Sequence, residues 1–263
     1  MPKLVKAGFR VAICDQLEDP KKTKTIVKRG ITELVTPGLA SLDGVLNPKS
    51  NNFLASIYFN NNIGVSFLDI STGEFLTSQG DTTYISKLLT NFYPSEILVP
   101  KDQKKIFKLT FGESYNLFYI DNWVYSLDFA KEQICHQFEV KSTKGFGIDD
   151  LTEGIISTSG ILHYLSETQH KRLNHITNVS RIPKDSHVWL DRFTVKNLEI
   201  FYPNSSDGKS LIDVIDKTIT PMGGRLLKRW LSLPLTEKKL INDRYKIVEY
   251  FINNQSDNHL LFN

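Results

Sequence analysis

Short apolar blocks separated by turn residues dominate the first 120 residues, and longer helical patterns dominate after residue 149. Residues 1–7 have the look of a helix's last turns, with Gly8 placed to end it. Phe9–Cys14 predicts a strand, Asp15–Pro20 a short turn or helix stopped by proline, and Ile26–Thr36 an extended segment closed by the turn dipeptide Pro37-Gly38. After a polar connection over 39–52, three strands are predicted close together, at Phe53–Phe59, Ile63–Ile70 and Glu74–Thr77. Asn60-Asn61-Asn62 and Ser71-Thr72-Gly73 lie between them, the spacing of an antiparallel meander.

Helices and strands then alternate. Asp81 is placed to cap a helix running to Phe92, and a strand at Glu96–Val99, a helix at Asp102–Leu109 and a strand at Asn116–Ile120 follow. Ser126 is placed to cap a helix over Leu127–Phe138, whose Leu127, Ala130, Ile134 and Phe138 form the apolar stripe. This order predicts a mixed α/β sheet, and it resembles the ribonuclease H fold. Beyond Gly145-Phe146-Gly147 the reading is nearly all α: a long helix at Asp149–Thr168, an extended stretch at Val188–Leu190, and helices near Asp191–Phe201, Ser210–Thr218, Met222–Leu231 and Glu237–Ile252, the last with Thr236 as N-cap. Met222, Leu226 and Trp230, four residues apart, are expected to pack in a core.

The 263 residues suit about two domains, and a composition 40% hydrophobic and 23% charged is that of a soluble globular chain. No apolar run approaches the roughly 18–20 residues of a membrane span, and no signal-peptide core is present, so a cytoplasmic location is expected, with no membrane partner. Cys14 and Cys135 form no CxxC pair and read as free thiols. The net charge of +3 hides a division. Residues 1–38 carry eight basic and four acidic side chains, 39–220 carry 17 and 21, and 221–263 carry seven and four. Both ends are therefore better suited than the middle to phosphates.

No catalytic constellation emerges, and no cofactor or metal site is expected in this chain. A nuclease on a ribonuclease H sheet needs clustered carboxylates to clamp two metal ions. The first predicted strand of that sheet has none, and Asp69 and Glu74 sit at a turn where solvated acids are common. Asp207-Gly208-Lys209-Ser210 ends like a phosphate loop, but the required glycine five residues before Gly208 is Pro203. His163, His170 and His175 lack cysteine partners and the spacing of a zinc site.

Five segments, GFRVAICDQLEDP (8–20), VTPG (35–38), LDISTGEF (68–75), GFGIDD (145–150) and MGGRLLKRWLSLPL (222–235), together resemble the MutS family of DNA mismatch-repair proteins. The resemblance implies that residues 1–40 end a mismatch-binding domain, 41–183 form a ribonuclease H-like connector, and 184–263 begin a helical lever. It implies a parent that binds mismatched double-stranded DNA as a homodimer, recruits MutL, and binds ATP and magnesium in an ATPase domain beyond this stretch. The family's mismatch-reading phenylalanine would lie upstream of Met1, and this piece is expected to be non-catalytic.

Two sets of residues are candidates for binding. Lys24, Lys28 and Arg29, with Lys21 and Lys22, form a basic run that reads either as a phosphate contact or as a solvated loop. Gln133 and Gln137, one turn apart beside the apolar stripe of 127–138, are where the resemblance places a MutL contact; a polar helix shoulder is the other reading. An isolated ribonuclease H-like nuclease and a purely structural scaffold are the alternative functions.

Overall fold

A computed structural model describes residues 1–18, 26–39, 48–168, 173–184 and 187–254. The chain divides into one unit of Met1–Ile182 with Thr220–Met222 and a second of Pro183–Ile219 with Gly223–Asn263.

In the first unit a short helix α1 (Pro2–Lys6) ends at Ala7, and Gly8 follows at φ +87°, a backbone that favours glycine. Strands β1 (Val11–Gln16) and β2 (Arg29–Val35) pair antiparallel, with an irregularity between Ile13 and Cys14. Val5 and Val35 are buried together, with Val11 and Ile13 packed on them.

The larger sheet begins with β3 (Phe53–Phe59), β4 (Ile63–Asp69) and β5 (Glu74–Gly80), an antiparallel meander. Helix α2 (Thr82–Phe92) follows, its first turn capped by the Asp81 carboxylate accepting from the Tyr84 amide at 2.7 Å. Next come β6 (Glu96–Pro100), α3 (Lys104–Phe111), β7 (Leu117–Ile120), α4 (Leu127–Gln137), α5 (Thr152–Glu167) and a two-residue strand β8 (Ser180–Arg181). The strand order is β7-β6-β3-β4-β5-β8, with β6 parallel to β3, β7 parallel to β6 and β8 parallel to β5. The result is a mixed α/β architecture with a mixed sheet.

Both faces of this sheet are covered, which is why β3 and β4 are apolar on alternate and intervening positions alike. On one face Phe53 and Phe67 pack on Phe92 of α2, and Phe59 packs on Phe107 and Phe111 of α3. On the other, Leu54 and Leu68 join Ala130 and Ile134 of α4 and Ile155, Ile161 and Tyr164 of α5 in the largest core. Helix α5 lies so close that a Cβ on Gly64 would meet the Glu153 carbonyl oxygen at 1.9 Å. Its own N-terminal residue, Leu151, offers no side-chain cap. Gln79 of β5 supplies one from across the sheet, its Oε1 accepting from the Glu153 and Gly154 amides at 2.9 and 3.3 Å.

The second unit holds α6 (Arg192–Asn197), α7 (Leu211–Ile215), most of α8 (Pro221–Ser232) and α9 (Lys238–Asn253). Asp191 caps α6, and Ser210 with Asp213 forms a reciprocal capping box on α7. Two readings are corrected here. The first turn of α9 starts from Glu237 with no side-chain cap, in place of Thr236. Met222 and Leu226 are 71% and 48% exposed, so their stripe is not a core in this chain.

The contact of α5 on the sheet sets the first stability test. Gly64→Ala drives a carbon into helix backbone that cannot yield, and is expected to lower the unfolding free energy by about 2–3 kcal/mol in denaturant titration. Gly145→Ala, with open space around its Cβ, is expected to stay within about 0.5 kcal/mol of the parent.

Candidate functional site

The basic run is described at Lys28 and Arg29. Lys24, with Lys21 and Lys22, lies outside the described residues. Lys28 and Arg29 stand side by side at the start of β2, both exposed, and Arg29 is opposite Gln16. Lys28 is not a bare charge: its Nζ is 3.9 Å from the Glu18 carboxylate, and its amide donates to the same group at 3.5 Å. That pair is open to solvent and contributes little to stability, but the carboxylate offsets part of the positive charge offered to a phosphate.

On α4 the two glutamines have different surroundings. Gln137 is half-buried and its Nε2 donates to the Leu173 carbonyl at 3.5 Å, so it braces the segment that follows α5. Gln133 is half-buried one turn earlier, on the stripe that carries Phe129, Glu132 and His136. Phe129 leads to a surface group that the sequence reading missed. Trp123, 59% exposed, meets Phe129 edge-on at 5.1 Å and His163 edge-on at 5.2 Å. The His163 ring lies 3.3 Å from the Glu167 carboxylate. Nothing in the local pattern around Trp123 marks it, because the group is completed by His163 from the distant helix α5.

Among the described residues the acids do not converge. Asp69, expected at a solvated turn, is wholly buried at the end of β4. Its carboxylate accepts from Asn51 Nδ2 at 2.7 Å, the Asn52 amide at 3.3 Å, and the Ser71 amide and hydroxyl at 2.9 and 2.6 Å. A carboxylate with four donors is a folded turn's anchor and has no lone pair left to offer a metal. Asp81 is the cap of α2, and the Asp102 amide is held by Asn122. Among the described residues no three His, Cys, Asp or Glu side chains gather where they could hold a metal ion. The residues of the phosphate-loop look-alike do not fit a nucleotide either. The Ser210 hydroxyl and amide are both given to Asp213 at 2.7 and 3.0 Å, and a Cβ on Gly208 would meet Ser205 and Pro203.

In the second unit, Val188 donates to the Pro234 carbonyl at 2.7 Å and His187 bridges to Leu235. The His187 Nδ1 is buried with no hydrogen-bond partner. Burial lowers the ring's pKa below its ordinary 6.5, against a hydrogen bond to the Pro183 backbone, and the charges of Arg244 and Arg229 lower it further. The Arg244 guanidinium sits 4.2 Å over the Trp230 ring.

A mixed-sheet α/β unit followed along the chain by a helical unit marks a stretch of a multidomain protein. Comparison with known families gives the same class a name. The model of MutS domain I matches residues 1–43, that of MutS domain II residues 52–177, and that of MutS domain III residues 193–263. The chain belongs to the MutS family. It is 59% identical over 256 residues to the DNA mismatch repair protein MutS of Flavobacterium psychrophilum, covering 97% of this chain and 30% of the relative. It is 60% identical to that of Flavobacterium johnsoniae over 255 residues, with 97% and 29% covered. The MutS of Parabacteroides distasonis is 52% identical over 262 residues, with 99% and 30% covered. The chain thus spans less than a third of the length of these relatives. No helix among the described residues is long and apolar enough to cross a membrane.

His187 gives a pH test with a definite sign. The folded unit favours the neutral ring, whereas the unfolded chain takes up a proton near 6.5, so the stability tied to this ring is present above that value. It is lost as the pH falls from 6.5 through the lower folded pKa. Proton NMR is expected to show the His187 ring titrating below 6.5, and His187→Gln is expected to flatten that part of the thermal-stability profile.

Proposed function

We propose that this chain is the mechanical middle of a MutS mismatch-recognition protein. In this reading residues 1–40 complete the mismatch-binding domain, 41–183 are the connector and 184–263 begin the lever. The parent binds mismatched duplex DNA as a cytoplasmic homodimer and takes ATP and magnesium in a domain outside this stretch. MutL docks on the connector. The single observation that carries the reading is the order of the three MutS domain models along one chain. The strand order adds to it: a β3–β4–β5 meander with β6 and β7 laid parallel beyond β3 is the arrangement a ribonuclease H-like connector requires. The nuclease reading gains no such support, since β3 carries no acid and Asp69 is fully bonded.

For MutL the exposed stripe of α4 is the favoured surface. Gln133 is its polar contact, uncharged and able to be covered without stranding a charge. Gln137 holds the stripe in place through Leu173. Interferometry between the whole parent protein and MutL, in the presence of mismatched DNA and ATP, is the test. Gln133→Glu is expected to weaken recruitment by about tenfold or more, as a central interface residue does. Recruitment equal to the parent's overturns the α4 assignment.

For DNA, Lys28 and Arg29 are phosphate contacts that position the duplex without reading its sequence. Charge reversal of both in the parent is expected to reduce the slope of log affinity against log salt by about 1–2, equally for matched and mismatched duplexes. An unchanged slope assigns the run to solvent.

A further inference from the structure

The β1–β2 pair has its own small core of Val5, Val11, Ile13 and Val35, separate from the core of the large sheet. The two strands contact each other densely and no element of the large sheet comparably. Beside Leu39, which follows the corner after β2 and is buried in the large core, what ties them to that sheet is polar. Glu96, the first residue of β6, is 2% exposed, and both its oxygens are taken by residues from elsewhere. Oε2 accepts from the Thr36 hydroxyl at 2.7 Å and the Gly38 amide at 3.2 Å. Oε1 accepts from the Tyr164 hydroxyl of α5 at 3.0 Å and from Nε and Nη2 of Arg10, each at 3.3 Å.

Arg10 is itself held on three sides. Its guanidinium lies 3.3 Å over the Phe118 ring of β7 and 5.0 Å from that of Tyr164, and it donates to the Tyr164 hydroxyl. Glycine at 38 is part of the same arrangement: a Cβ there would meet Leu54 Cδ1 at 2.8 Å and the Glu96 carboxylate at 3.1 Å. One carboxylate therefore gathers the residue before β1, the corner after β2, a strand and a helix.

We infer that Glu96 is the positioning residue of this joint, the buried carboxylate that fixes the orientation of the β1–β2 pair, and of the domain it closes, on the connector sheet. Arg10 supplies the charge that lets the carboxylate be buried, and Thr36 and Gly38 bind its other oxygen so that the corner cannot swing. Glutamine in its place presents an NH₂ to the donors around it and leaves Arg10 without a counter-charge. In the MutS reading above, on which only this consequence rests, movement at the DNA end reaches the connector as movement of one rigid body. With the clamp opened, the two parts keep their folds and lose their fixed angle.

The test is a distance distribution between spin labels on the native Cys14 of β1, which is exposed, and on Ser86→Cys of α2, in a Cys135→Ser background of this chain. A narrow distribution is expected for the parent, and one at least about twice as wide for Glu96→Gln and for Arg10→Met. Arg10→Lys, which keeps the charge, is expected to retain most of the narrowness. Amide exchange of α5 in every variant is expected to stay within about twofold of the parent. Unchanged widths in Glu96→Gln and Arg10→Met overturn the inference. So does equal loss of protection in α5, which makes Glu96 a residue of the connector's fold alone. If Glu96→Gln does not fold, Arg10→Met, altered at a partly exposed side chain, decides the matter. None of these outcomes depends on MutL or DNA, so they stand apart from the test of the functional reading.

Discussion

The first unit depends on how close α5 comes to the sheet. Ordinary helix-on-sheet packing leaves room for a layer of branched side chains, and along the line of Gly64, Gly154 and Gly160 there is almost none. Gly64 faces the Glu153 carbonyl, Gly154 sits against the Thr77 hydroxyl and the Ser78 carbonyl, and Gly160 faces Ser56 and Tyr125. Bringing the helix this near places small polar groups in the dry centre, and each must then be paired. They are paired with one another: the Ser66 hydroxyl meets Thr77, Ser157 and Thr158 at 2.7–3.0 Å, and Thr77, Ser157 and Thr158 all donate to the Gly154 carbonyl. A network of that kind fixes one register of the helix, since sliding it would break several buried bonds together. Gln79 locks the same helix at its start. With the register set, Tyr164, four residues beyond Gly160 and on the same helix face, is delivered to Glu96.

Much of this fold was legible in the sequence wherever the controlling interaction was local. The strand Phe53–Phe59 and the caps at Asp81 and Ser126 stand where the pattern put them, because a turn, a cap and an alternation are all written within a few residues. β8 was not legible: two residues paired to Leu76 and Thr77 carry no period of their own. The burial of Asp69 was missed because its donors arrive from Asn51 and Asn52 across a strand, while the turn that follows it does look solvated. The Met222–Leu226 stripe was read as core because helical spacing shows that a face is apolar without showing that anything covers it.

The candidate surfaces divide in the same way. The basic character of residues 21–29 is plain in the composition, yet the Glu18 carboxylate that screens Lys28 becomes visible only when β1 and β2 are paired. Gln133 and Gln137 look equivalent as neighbours one helical turn apart. They differ because the backbone after α5 passes Gln137 and takes its hydrogen bond, leaving Gln133 on the stripe that continues to Phe129 and Trp123.

The joint at Glu96 is built from charge, although an apolar seam of the same area would be simpler to fold. The two solutions differ in what they specify. Apolar side chains attract without direction, so a seam of them tolerates sliding and rotation at little cost. A buried carboxylate with both oxygens engaged has few acceptable geometries, and its partners here come from the segment before β1, the corner after β2 and α5. Such a joint is stiff while intact and fails abruptly once one partner is pulled away, because the remaining charge is left buried and uncompensated. In the proposed MutS reading that sharpness is the useful property: small displacements are transmitted whole, and a large one releases the clamp.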